Sequence, residues 1–135
     1  ILILDEPTSG LDPKERIRFR NIISALSKGR IVILSTHIVS DVEFIAGELL
    51  FMKQGKIIVQ GDMETVGRCA EGKVWEYLAD PEEAMRLNAA FAVSNLRNEG
   101  EQVHLRFIAE ECPCKGALSV PPGLEDVYLY LIGHE

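Results

Sequence analysis

Ile1-Leu2-Ile3-Leu4-Asp5-Glu6-Pro7-Thr8-Ser9-Gly10-Leu11-Asp12-Pro13 is the stretch on which the reading of this chain turns. Its four leading apolar residues show no alternation, which predicts a strand buried on both faces, as in a parallel sheet. Asp5 and Glu6 then stand at the strand's C-terminal end, where open α/β sheets hold their ligands. Pro7-Thr8-Ser9-Gly10 breaks the strand. Asp12-Pro13 opens a helix, with Asp12 as N-cap, Pro13 at N1 and Glu15 at N3 in a capping box. Phe19, Ile22, Ile23 and Leu26 recur at i, i+3, i+4 and i+7 and predict one buried helix face. Lys28 and Gly29 close the helix.

A second uninterrupted apolar strand follows at Ile31-Val32-Ile33-Leu34 and ends in Ser35-Thr36-His37. Two buried strands separated by a helix imply a parallel crossover and so an α/β layer. Asp41 to Ala46 reads as a short helix that Gly47 stops. Segments 49–53 and 56–60 flank Gln54-Gly55, a two-residue turn suited to a hairpin. Gly61-Asp62 starts a short helix or turn through Val66. The composition shifts over 67–72, which reads as a linker between a first domain, 1–66, and a small α+β unit, 73–135. That unit is expected to hold a strand at 73–79 and a helix from Asp80-Pro81 to Phe91. A hairpin of 93–97 with 102–108, a loop over 111–122 and a helix at 124–131 complete it.

Composition narrows the function classes. The chain has 135 residues, 47% apolar and 26% charged, the proportions of a soluble globular protein. No apolar run approaches the length of a membrane-spanning helix. The chain opens on Ile rather than Met, with no basic n-region, and reads as a piece of a larger domain rather than a secretory leader. The net charge of −7 is uneven, +1 over residues 1–60 and −8 over 61–135. An acidic second unit repels phosphates, which argues against a nucleic-acid or anionic-membrane surface there. Cys69, Cys112 and Cys114 are too few for a disulfide framework, and reduced thiols are expected. Cys112-Pro113-Cys114 lacks a second Cys/His pair, and His104 and His134 stand alone, so no four-ligand zinc site is expected.

The chemistry concentrates in the first 37 residues. Asp5 has the hard oxygen donors that suit Mg²⁺, directly or through water. Glu6, the next residue, points elsewhere and can polarise an attacking water.

The thirteen-residue string resembles, residue by residue, the Walker B motif and following D-loop of the ATP-binding-cassette (ABC) ATPases. Ser35-Thr36-His37 resembles that family's H-loop. The hairpin around Lys53-Gln54-Gly55-Lys56, with Gly61-Asp62, is similar to the family's C-terminal portion. The resemblance is close over Ile1–Val66. Beyond it, Leu124-Glu125-Asp126-Val127-Tyr128-Leu129 resembles the C-terminal helix of nucleotide-binding subunits from exporter-type systems.

The resemblance implies a partial RecA-like P-loop NTPase layer of parallel strands, crossover helices and a hairpin, followed by the small α+β unit. It implies Asp5 as the Mg²⁺-associated aspartate, Glu6 as the catalytic carboxylate and His37 as the contact to the γ-phosphate and attacking water. Ser9, Gly10, Leu11 and Asp12 would form the D-loop that crosses to a partner subunit. The intact protein would bind and hydrolyse MgATP between two nucleotide-binding domains and drive export through a transmembrane permease. It would sit at the cytoplasmic face of the cell membrane, with no nucleic-acid partner. Two other readings stand beside this one. The first is a soluble ABC ATPase without membrane domains; the second is a regulatory module whose residues 73–135 bind a partner.

Two segments imitate nucleotide motifs. Gly67 to Lys73 nearly matches G-x-x-x-x-G-K-[ST], but Val74 stands where a magnesium-binding hydroxyl is required and no buried strand precedes it. Leu26-Ser27-Lys28-Gly29-Arg30 superficially resembles the family's signature, yet it falls at a helix C-terminus, where the dipole repels phosphate. The family's Walker A, Q-loop and signature are therefore expected before residue 1. The chain alone is expected to hold no ATP or Mg²⁺ and to be inactive. Its uncovered strand edges are expected to favour self-association.

Overall fold

The computed structural model describes residues 1–133 as a mixed α/β chain; His134 lies outside the described residues. Contacts divide the chain into two compact units, Ile1–Gly47 and Glu48–Glu135.

In the first unit, β1 (Leu2–Asp5), α1 (Pro13–Leu26), β2 (Val32–Ser35) and the one-turn α2 (Val39–Val42) follow in order. β1 and β2 pair in parallel, Leu2 beside Val32, Ile3 beside Ile33, Leu4 beside Leu34 and Asp5 beside Ser35. The capping box forms as the sequence predicts: Glu15 N–H donates to Asp12 Oδ1 at 2.9 Å and Asp12 N–H to Glu15 Oε2 at 3.3 Å. Burial differs from the expectation of two covered faces. Leu2, Leu4, Val32 and Leu34 are half-buried, whereas Ile3 is 72% and Ile33 54% exposed. Strand side chains alternate, and within this unit nothing covers the isoleucine face. On α1, Ile23 is buried and Phe19 and Leu26 half-buried, but Ile22 is exposed, as is Ile17.

The second unit opens with the hairpin β3 (Leu49–Lys53) and β4 (Lys56–Gly61). Gln54 and Gly55 both take positive φ, 49° and 74°, as a type I′ turn requires. Then come α3 (Met63–Gly67), capped by Asp62, and a 3-10 turn at Arg68–Ala70. β5 (Val74–Ala79), α4 (Pro81–Ala90), β6 (Ala92–Glu99), β7 (Gln102–Ile108), β8 (Leu118–Ser119) and α5 (Leu124–Ile132) complete the unit.

β6, β7, β5 and β8 form one antiparallel sheet in that order. Ala79, Ala84, Val103, Leu105, Phe107 and Ala109 make its core, with Trp75, Tyr77, Leu87, Phe91 and Val93 packed around them. The Phe91 and Phe107 rings meet at 5.3 Å. α5 meets α3, the 3-10 turn, β6 and β7, and Val66, Ala70, Leu124 and Val127 are all but fully buried.

The hairpin is tied to α5: Phe51 and Tyr128 rings lie 6.4 Å apart, and the Lys53 ammonium reaches the Ile132 carbonyl at 3.4 Å. For that reason it groups with the C-terminal residues, ahead of the 67–72 boundary that composition suggests. Residues 67–72 hold the end of α3, the 3-10 turn and Glu71-Gly72, with Ala70 buried.

Candidate functional site at the strand ends

Parallel pairing brings the exits of β1 and β2 to the same edge. Glu6 N–H extends the ladder by one bond, donating to the Ser35 carbonyl at 2.9 Å. Beside it the Ser35 hydroxyl donates to Asp5 Oδ1. Asp5 and Ser35 are both exposed. This is an all-oxygen donor set, the chemistry a hard divalent cation prefers, so the residues fit Mg²⁺.

One residue on, His37 Nδ1 lies 2.9 Å from Glu6 Oε2. A carboxylate can only accept, so Nδ1 is the donor of this bond. The His37 side chain is 71% exposed and that of Glu6 38%, open enough for water or a ligand to reach both. Glu6 has φ 46°, one of two non-glycine residues in left-handed backbone among those described. An L-residue held there stores about 1–3 kcal/mol of strain, a feature that concentrates at functional sites.

The loop that follows is short and ordered by its own backbone. Ser9 N–H donates to the Glu6 carbonyl at 3.2 Å and Leu11 N–H to the Thr8 carbonyl at 3.1 Å. Gly10 takes φ 78° between those bonds, a conformation a side chain would strain. Arg16 Nε donates to the Leu11 carbonyl at 3.2 Å, so α1 fixes the loop's far end. Ser9 and Gly10 are exposed and Leu11 half-buried, while Asp12 caps α1. Beneath the loop the Thr8 hydroxyl donates to Asp41 Oδ2, with both residues buried.

Thus Asp5, Glu6 and His37, predicted from the sequence, converge on one edge, and the Ser9–Asp12 loop lies beside them. Two partners were not anticipated. Ser35 was detectable: aligning the apolar quartets Ile1–Leu4 and Ile31–Leu34 puts it level with Asp5. The Thr8–Asp41 bond spans 33 residues and carries no local signal.

The segments that imitate nucleotide motifs are occupied otherwise. The Lys73 ammonium bonds the Tyr130 hydroxyl, lies 4.6 Å from that ring's centroid and pairs with Glu110 at 2.8 Å. Those partners, Glu110 foremost, raise its pKa above the usual lysine range. Ser27 is the C-cap of α1, so the 26–30 segment presents carbonyls rather than phosphate-binding N–H groups. Cys112 and Cys114 are free thiols in the β7–β8 loop, and burial pushes that of Cys114 up. Among the described residues, no three His, Cys, Asp or Glu side chains converge on a common metal position.

No family model matches the chain. Curated proteins do, across its whole length. It is 32% identical over 149 aligned positions to the Nod factor export ATP-binding protein I of Rhizobium meliloti, covering 43% of that protein. Against the protein of the same name from Neorhizobium galegae it is 31% identical over 148 positions, covering 42%. Against that from Cupriavidus metallidurans it is 30% identical over 146 positions, covering 48%. The chain thus spans just under half the length of these relatives.

Proposed function

We infer, from a chain that belongs to the ATP-binding-cassette ATPases, that Glu6 and His37 carry out the water-activating half of ATP hydrolysis. The observation that carries this reading is the 2.9 Å contact between His37 Nδ1 and Glu6 Oε2 at the C-terminal end of parallel strands. Glu6 takes the proton of a water held at its free oxygen, and His37 fixes the orientation of that carboxylate. As the imidazolium, with a proton on each ring nitrogen, His37 donates through Nδ1 to Glu6 and through Nε2 to a terminal phosphate. Asp5, oriented by the Ser35 hydroxyl, would hold Mg²⁺ through water. When bound, the ion supplies charge neutralisation for the phosphates.

On this reading β1 and β2 belong to a RecA-like layer whose remaining strands and helices cover the exposed isoleucine face. The nucleotide-binding domain runs through residue 66, and residues 73–135 form an accessory unit. The loop Ser9-Gly10-Leu11-Asp12 faces a second nucleotide-binding domain. The relatives' names speak of export, which supports an export permease as the membrane partner and a place at the cytoplasmic face of the membrane. Among the described residues, no helix is long and apolar enough to cross a membrane.

The test is Glu6→Gln in the intact protein. MgATP turnover is expected to fall at least about a hundredfold, the scale of a lost general base, while nucleotide binding persists. Turnover at the parent rate would refute the assignment. The 135-residue chain by itself, with no phosphate-cradling loop in its sequence, is expected to show no MgATP binding by titration calorimetry.

A further inference from the structure

We propose that Asp41 is a positioning residue for hydrolysis: through the Thr8 hydroxyl it fixes the loop carrying Glu6 to the segment carrying His37. The proposal rests on the reading of Glu6 and His37 given above. Four links join the exits of β1 and β2: Glu6 N–H to the Ser35 carbonyl, Ser35 to Asp5, His37 to Glu6, and Thr8 to Asp41. The Ser35–Asp5 and His37–Glu6 links are open to water, which competes for every donor and acceptor in them. An exposed pair of that kind is held less firmly than a buried one.

The Thr8–Asp41 link is different in kind. Thr8 is 1% and Asp41 2% exposed, so water cannot replace either partner. A hydroxyl donating to a carboxylate is a charge-assisted bond, and losing the donor leaves a buried carboxylate undersatisfied. The lever arms are short. Thr8 is two residues from Glu6, and Asp41 lies in the single turn of α2, four residues after His37. That turn is itself seated by Ile38 N–H donating to Thr36 Oγ1 at 3.0 Å and by Arg20 Nη1 reaching the Ser40 carbonyl at 3.0 Å.

Glu6 adds the reason a clamp is needed. Its left-handed backbone, φ 46°, relaxes unless neighbouring structure holds it. Without the Thr8 hydroxyl the loop is free to turn Glu6 back to ordinary φ, which carries its carboxylate away from His37. Such a change acts on the reacting geometry rather than on nucleotide binding, so it affects kcat and not KM.

The experiment compares Thr8→Val, which keeps the shape without the hydroxyl, with Thr8→Ser, which keeps the hydroxyl, in the intact ATPase. Thr8→Val is expected to lower kcat for MgATP about tenfold with KM within about twofold, and Thr8→Ser to restore most of the rate. Adding Asp41→Leu, which removes the acceptor, to Thr8→Val is expected to lower kcat no further, because both act through one bond. A parent-like kcat in Thr8→Val, or equal losses in Thr8→Val and Thr8→Ser, would overturn the proposal. If Thr8→Val does not fold, Asp41→Leu, which removes the acceptor, decides: reduced kcat at unchanged KM supports the clamp, and parent-like kcat overturns it. Glu6→Gln, measured in parallel, separates the two ideas. An inactive Glu6→Gln beside a fully active Thr8→Val removes only the clamp, whereas an active Glu6→Gln removes both.

Discussion

Arg106 grips Asp126 through two nitrogens, Nε at 3.0 Å and Nη2 at 2.7 Å from the same carboxylate oxygen, Oδ2. That oxygen also accepts the N–H of Gly123, the N-cap of α5, at 2.8 Å. The guanidinium reaches Glu76 on β5 at 3.0 Å and the Pro121 carbonyl at 2.7 Å. One cation therefore joins β7, β5, the β8–α5 connection and the first turn of α5. Hydrogen bonding to Asp126, whose side chain is 3% exposed, holds the Arg106 pKa above even the usual arginine value.

Arg106→Met preserves the aliphatic stem but strands Asp126 without its counter-charge. Breaking a buried pair from one side costs about 3–5 kcal/mol. Denaturant unfolding of the chain is expected to show a loss of that order, with the midpoint shifted and the slope unchanged. Asp126→Asn, which keeps an acceptor for Gly123 and Arg106, is expected to cost less. Equal small losses in both would mean that the cation is not the joint.

Asp62 makes the acid behaviour of the second unit testable. Hydrogen bonds from Thr65, with Thr65 N–H donating to Asp62 Oδ1 at 2.8 Å, hold the carboxylate below its usual pKa of 3.8. A folded-state pKa below the unfolded one means that the stabilisation is fully present above about pH 4. It is lost as pH falls through the lower, folded value. Asp62→Asn keeps a capping oxygen but has no proton to gain. Between about pH 5 and about pH 2 the parent's melting temperature is expected to fall more than that of Asp62→Asn. Parallel curves would remove Asp62 from the acid limb.

What could be read from the sequence was whatever local chemistry encodes. The Asp12 cap and the Gln54-Gly55 turn each satisfy backbone groups within three residues, so composition and spacing suffice to place them. Asp5, Glu6 and His37 were placed because both strands end at one edge. The parts that were not legible depend on partners far along the chain. Phe51 meets Tyr128 across 77 residues, which draws the hairpin into the second unit. Asp41 was read as the start of a helix. It is instead turned inward to Thr8, and α2 begins earlier, at Val39. β8 is two residues long and exists because β5 offers it a free edge. Burial of both faces of β1 and β2 requires covering elements, and periodicity describes a strand's preference rather than its neighbours.

That uncovered face leads to the last expectation. Ile1, Ile3, Ile31 and Ile33 are 87%, 72%, 62% and 54% exposed, and the parallel register sets Ile3 beside Ile33. A contiguous β-branched patch on a two-stranded sheet with open edges is a template for pairing with another chain. The 135-residue chain is therefore expected to self-associate as its concentration rises, seen as a growing mass by light scattering. Ile3→Lys with Ile33→Glu places opposite charges side by side on the patch, so it removes the apolar surface while keeping a favourable cross-strand pair. That variant is expected to scatter as a monomer at concentrations where the parent does not. A monodisperse parent monomer in concentrated solution would mean that the edge residues already prevent pairing. A double variant that associates as strongly as the parent would move the contact elsewhere, with Phe44, 79% exposed near the end of the first unit, the next position to change.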